Sequence, residues 1–149
     1  SLNWLIFGAI CGGILLVIAL LFFVFAEKIK GLFWKNRERL RWIQFERKWK
    51  KLADLLQQNP NQTLADELIG HWKSYMEHLR SQPFQEWTSS EIAAELADEE
   101  VFKALRSIDM IIYAGIEEDS QNATTYLLAV AKLNYNAALS QLTNERITR

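Results

Sequence analysis

Two histidines, one cysteine and a few carboxylates are the side chains of this sequence that could do chemistry. His71 and His78 stand seven residues apart and would share one helix face. A metal pair on a helix normally wants i, i+3 or i, i+4 spacing, and no Cys or further His stands near them. Packed or solvated imidazoles are the simpler reading. Cys11 is the single cysteine, so neither a disulfide nor a cysteine zinc set can form within one chain. Asp109 sits in "SIDMIIYAG", an acid beside a strongly apolar face. It reads either as a functional carboxylate shifted by burial or as one bonded locally or turned to water. "IEEDS" supplies Glu117, Glu118 and Asp119, which would dock a basic partner or lie in a solvated loop. No phosphate loop or glycine-rich nucleotide fingerprint occurs. The expectation is a chain that is not an enzyme and holds no cofactor and no metal. A membrane-bound hydrolase acting through His71 or Asp109 is the rival from the enzyme class.

The elements that would position these residues begin with a segment that carries no charge, "SLNWLIFGAICGGILLVIALLFFVFA". Trp4 to Ala26 spans 23 residues, about 34 Å as a helix, against a hydrocarbon core of about 30 Å. A secretory signal would place basic residues before a shorter apolar core and a small-residue cleavage site after it. Here the basic residues follow, so the sequence predicts a permanent transmembrane helix. Lys28, Lys30, Lys35, Arg37, Arg39 and Arg41 lie within about fifteen residues of its C-terminal end and nothing basic precedes it. That asymmetry predicts the N-terminus outside and the remainder in the cytoplasm, as in a bacterial inner membrane. The chain begins at Ser1, which fits a trimmed initiator and equally a preceding outer domain. Gly8 and Gly12, with Ala9 and Gly13 one step on, form a small-xxx-small pair that lets helices approach closely.

The net charge of −1 hides a division. Residues 28–51 hold ten Lys/Arg against two Glu, a net of +8, and residues 52–149 hold seven Lys/Arg against fifteen Asp/Glu, a net of −8. A nucleic-acid-binding domain is normally basic on its folded part, so this balance argues against nucleic acid. The basic block lies where anionic lipid headgroups would be. Phe33 and Trp34 suit the membrane interface. Trp42, Phe45, Trp49, Leu52 and Leu56, spaced three, four, three and four, form one helix seam that needs a partner. Packing on later helices of the same chain is the simpler partner, and an intermolecular groove the other.

Punctuation then divides the chain. A helix from about 35 to 58 ends at "QQNPNQ", where Pro60 stops it. The next begins with a Thr63 cap, with Asp66 at the capping-box position, and buries Leu64, Leu68, Trp72, Tyr75, Met76 and Leu79. "RSQPFQEW" is a loop. Thr88 and Glu91 form a capping box for a short helix over 89–97, with Trp87 and Ile92 placed for a hydrophobic staple. Asp98 caps a helix that turns Val101, Phe102, Leu105, Ile108 and Ile112 inward and ends at Gly115. "EEDSQN" is a loop, and a last helix over about 121–143 presents Tyr126, Leu127, Val130, Leu133, Ala137 and Leu142, with Ala129, Ala131 and Ala138 allowing close approach. The fold class is all-α: one N-terminal transmembrane helix plus a small cytoplasmic bundle of four to five helices. Its organisation is a transmembrane helix over 1–27, a basic juxtamembrane helix over 28–51 and an acidic helical domain over 52–149.

"HWKSYMEHLRSQPFQEWTSSEIAAEL" followed by "KALRSIDMIIYAG" resembles the cytoplasmic helical part of BatD-like, aerotolerance-type bacterial membrane proteins. The pattern rests on Trp72, Tyr75, Thr88, Glu91, Ile92, Leu105, Ile108, Asp109, Tyr113 and Ala114 and covers about residues 64–115. The large outer domain such proteins often carry is not among these 149 residues. The resemblance implies a scaffold working with a MoxR-type AAA+ ATPase and a von Willebrand A-domain protein, with ATP and metal on those partners. The reading from the residues alone is a membrane adaptor that binds other proteins of a complex. An accessory subunit of a membrane enzyme, such as an oxidase or energy-converting assembly, is the second reading.

Overall fold

A computed structural model describes residues 2–111 and 117–147, and every regular element among them is helical. The order is α1 (Leu2–Gln58), α2 (Gln62–Arg80), α3 (Ser89–Leu96), α4 (Glu99–Asp109) and α5 (Glu117–Ile147). The chain divides into two units, residues 1–40 and residues 41–149. The second takes in residues 41–51, which the charge division groups with the membrane-proximal block.

In the first unit α1 is continuous through residues 27–34, where the sequence pattern leaves an interfacial join. "EKIKGLFW" contains no proline and no capping side chain, so nothing there ends the backbone ladder. One window of α1 has a mean hydropathy of 2.9 and none of it is buried, so one helix is long and apolar enough to cross a membrane.

In the second unit the α1 seam behaves as its spacing predicts. Trp42, Phe45, Trp49, Leu52 and Leu56 are all buried. They meet α2 and α5 through aromatic contacts: Phe45 stacks on Tyr75 at 4.1 Å and Trp42 on Tyr135 at 5.2 Å. Such pairs add about 0.5–1.5 kcal/mol each beyond their area burial. Two indoles carry their polar end into this core, and both donate to α5 carbonyls. Trp49 Nε1–H bonds Thr124 O at 3.1 Å and Trp72 Nε1–H bonds Leu127 O at 2.9 Å. They can reach because α5 turns small side chains to the core: Ser120, Ala123, Thr124 and Ala131 are buried around Leu127.

That stripe differs from the expected face of α5. Leu133 is 71% exposed and Ala137 is exposed, while Ala123, Leu127, Ala131 and Tyr135 recur every four residues inside. The small residues win because a bulky side chain there would hold the indoles off the backbone. Similarly, Phe102 is only half-buried, with the Arg106 guanidinium 5.9 Å over its ring, and Ala104 takes an inner place on α4.

Caps explain most helix boundaries. Asn61, not Thr63, caps α2: its Oδ1 accepts from Thr63 N–H at 2.8 Å, while Asp66 accepts from Gln62. A side chain two positions before the amide reaches it from the Ncap, whereas Thr63 already lies inside the first turn. The Thr88–Glu91 capping box is present in both directions, at 3.3 and 3.1 Å. Asp98 caps α4 through Glu100 N–H at 3.0 Å, and its other oxygen accepts from the Tyr126 hydroxyl of α5. α4 stops at Asp109, because Met110 leaves helical geometry at φ −95° and ψ 1°. Ile112, Tyr113, Ala114 and the expected terminator Gly115 lie outside the described residues. "EEDSQN" is helical rather than a loop, since α5 begins at Glu117. Three consecutive acids suit a first turn, where the helix dipole favours negative charge. In the loop between α2 and α3, Phe84 is fully buried and packs edge-on to Trp72 at 6.5 Å.

Two stability predictions follow from this packing. Trp49→Phe and Trp72→Phe each remove an indole donor from a close-packed site and should each lower unfolding free energy by about 1–3 kcal/mol. Chemical denaturation of the detergent-solubilised full chain, followed by circular dichroism, measures it; unchanged midpoints would contradict it. Ala97 ends α3 in the left-handed region, at φ 52° and ψ 43°. A Cβ is costly there, so Ala97→Gly should raise stability by about 1 kcal/mol. A lower melting temperature would show that another contact of Ala97 matters more.

Candidate functional site

The largest unsatisfied surface is apolar. Between Trp4 and Trp34 the apolar side chains of α1 stand free, with Trp4 85%, Phe22 76% and Phe23 70% exposed. A continuous exposed apolar surface of this extent is not stable against water and marks a membrane or protein contact. Gly8, Gly12 and Gly13 lie within it, and a Cβ built on any of them would meet nothing within 4 Å. The chain itself therefore fills none of the space that these small residues leave.

The basic residues divide between the two units. Lys28, Lys30, Arg37 and Arg39 are exposed and Lys35 is half-buried. Arg37 lies 5.9 Å over the Trp34 ring, a cation–π contact that holds a charge beside an exposed aromatic. Arg41 differs. It is half-buried in the helical unit, and its Nη1 lies 3.0 Å from Nδ1 and 2.7 Å from Nε2 of His78 on α2.

The residues with chemical potential do not converge. His71 faces α1, its ring stacked 4.9 Å from Phe45, and its buried Nε2 has no hydrogen-bond partner among the described residues. Desolvation pushes its pKa below 6.5, Lys48 pushes the same way, and the Phe45 backbone and Glu67 oppose them. His78 lies on the exposed side with Arg41. Asp109 is exposed as a residue, yet its neighbours partly desolvate the carboxyl and push its pKa up. Asp66 adds to that shift, and Lys73 and Arg106 counter it. Among the described residues no three of His, Cys, Asp and Glu come together to hold a metal ion. The side chains of Glu117, Glu118 and Asp119 lie outside the described residues.

Tyr126 has the strongest shift, pushed up to about 12, first by its hydrogen bond to Asp98 and then by desolvation and the charges of Asp98 and Glu100. This bond ties the start of α4 to α5, so it belongs to the fold.

One open groove of about 500 Å³ runs between α3 and α4. It is lined by Ala93, Ala94, Ala97 and Phe102, with Asp98 and Glu99 beside them. Alanines on α3 and a half-buried Phe on α4 give it apolar depth that residue types and spacing did not signal. The relevant pattern, three alanines opposite one aromatic across a tight turn, becomes visible only once α3 and α4 are paired.

Compared with known protein families, characterised proteins and solved structures, the chain finds no match.

The His71 environment makes a pH prediction. Its folded-state pKa lies below its unfolded value, so the unfolded chain binds protons more readily. Its neutral form is compatible with the fold above about pH 6.5, and stability should fall as pH drops through that value. His71→Gln should flatten the loss between roughly pH 7 and pH 5 in denaturation curves. An unchanged slope in the variant would assign the loss to other groups.

Proposed function

We propose that this chain is a single-pass adaptor of a bacterial inner-membrane complex, with its N-terminus outside and its acidic helical unit in the cytoplasm. The observation that carries this reading is the uncovered apolar length of α1 between Trp4 and Ala26, followed directly by Lys28, Lys30, Lys35, Arg37 and Arg39. The first needs an apolar solvent, and the second favours the cytoplasmic, anionic-lipid side. The helical unit contributes a closed aromatic core and an acidic surface, and no converging set of reactive side chains occurs among its described residues. Binding is the work such a unit can do. An AAA+ ATPase and a von Willebrand A-domain protein are the first partners to test, on the resemblance of residues 64–115.

The open space at Gly8, Gly12 and Gly13 favours a second reading, an accessory subunit whose span packs against the helices of a membrane enzyme. Native mass spectrometry of the solubilised complex separates the two. Copurification with an ATPase or scaffold protein supports the adaptor, copurification with a cofactor-bearing enzyme supports the accessory subunit, and a bare monomer counts against both.

Orientation has its own test. Reversing Lys28, Lys30, Arg37 and Arg39 to Glu should invert or impair insertion in a protease-protection assay. Normal orientation of that variant would remove the charge argument.

A further inference from the structure

α1 has a second face within the helical unit. Ile43, Arg47, Lys51 and Leu55 recur every four residues, opposite the buried seam of Trp42, Phe45, Trp49, Leu52 and Leu56. All four are exposed, Ile43 at 43% and Leu55 at 40%. The result is a ridge with an apolar residue at each end and two cations in the middle. Neither Arg47 nor Lys51 makes an ion pair among the described residues, whereas neighbouring Lys50 is held by Glu46 at 2.9 Å.

The groove between α3 and α4 has the complementary pattern. Ala94, Ala97 and Phe102 give it an apolar lining, and its acids are Asp98 and Glu99. Asp98 is half-buried with its oxygens on Glu100 N–H and the Tyr126 hydroxyl, so Glu99 is the exposed acid. Its one cation, Lys103, is occupied by Glu100 at 3.3 Å. Glu99 makes no ion pair among the described residues. Ridge and groove of one copy cannot meet each other. The buried seam of α1 packs on α2 and α5, α3 packs on α4, and the ridge points away from all of them.

We propose that the α3–α4 groove receives the Ile43–Arg47–Lys51–Leu55 ridge of a second copy of this chain. A helix ridge of i, i+4 residues is the shape that fits between two packed helices. Arg47 and Lys51 meet the exposed Glu99, and the apolar ends of the ridge meet Phe102 and the alanines. The contact is heterologous, because ridge and groove are different surfaces. It therefore leaves a free ridge and a free groove at the two ends and propagates into short rows or a ring. It requires no other protein, so it stands or falls separately from the adaptor reading.

The test uses full-length chains carrying two different tags, co-expressed and solubilised in a neutral detergent. Wild-type copies should copurify across tags, less so at high salt. Glu99→Lys alone, or Arg47→Glu with Lys51→Glu, should reduce cross-tag recovery roughly tenfold. Mixing the Glu99→Lys copy with the Arg47→Glu/Lys51→Glu copy should restore it, because the unaltered ridge of the first meets the unaltered groove of the second, and the two reversed surfaces also oppose each other. Melting curves of each variant separate lost association from lost folding. On oxidation of the solubilised mixture with copper phenanthroline, a disulfide between Ile43→Cys of one copy and Ala94→Cys of the other, both in a Cys11→Ser background, should form without any charge reversal. Association that ignores both reversals would place the interface elsewhere, the glycine-lined face of α1 included. Failure of the mixture to rescue, or failure of the disulfide, would overturn the proposal. So would a monomeric wild type whose Arg47→Glu/Lys51→Glu variant loses binding to phosphatidylglycerol vesicles, since the ridge would then serve lipid.

Discussion

Two indole N–H groups buried against the backbone of α5 constrain the rest of the helical unit. A buried N–H that finds no acceptor costs about 1–3 kcal/mol, so Trp49 and Trp72 must be seated where a carbonyl is within reach. Helix carbonyls already accept from within the helix and are normally shielded by side chains. They become accessible only where those side chains are small, and α5 offers Ser120, Ala123, Thr124 and Ala131 along that face. The small residues of α5, the tryptophans of α1 and α2, and the closeness of the three helices are thus one feature seen from three sides. The aromatic stack of Trp42, Phe45, Tyr75 and Tyr135 extends the same contact toward the start of the unit.

The unit therefore spends its apolar residues on closing itself. Besides Ile43, Leu55, Met110 and Leu133 it leaves charge outside, sorted by helix: basic on the outer face of α1, acidic along α3 and the start of α4. Such sorting costs little in a solvated surface, yet it gives each face a preferred partner. The apolar half of α1 makes the opposite arrangement. It covers no core among the described residues and is long and apolar enough to cross a membrane.

Much of this was legible in the residues. The α1 seam, the Thr88 capping box and the Asp98 cap depend on side chains a few positions apart on one backbone, and they fold as their spacing implies. The α5 face was misjudged for a physical reason. Hydrophobic periodicity ranks Leu133 above Ala123, whereas close helix approach requires the small residue inside. The Glu117 start of α5 was hidden because acidic runs suit both a loop and a helix N-terminus. Arg41 belongs by charge to the basic block, but its place on His78 depends on how α1 and α2 pack.

The sequence by itself determined that the chain is helical, that one segment is apolar and long enough for a bilayer, and that charge changes sign after it. These depend on periodicity, length and composition, all of which are local along the chain. The tertiary structure alone decided which α5 residues turn inward, that His71 is stacked and Asp109 exposed, and that α3 and α4 enclose a groove. Each depends on how the helices pack, through contacts as long-range as that of Trp49 with Thr124 across 75 positions. No local pattern encodes which backbone carbonyl a distant indole will find.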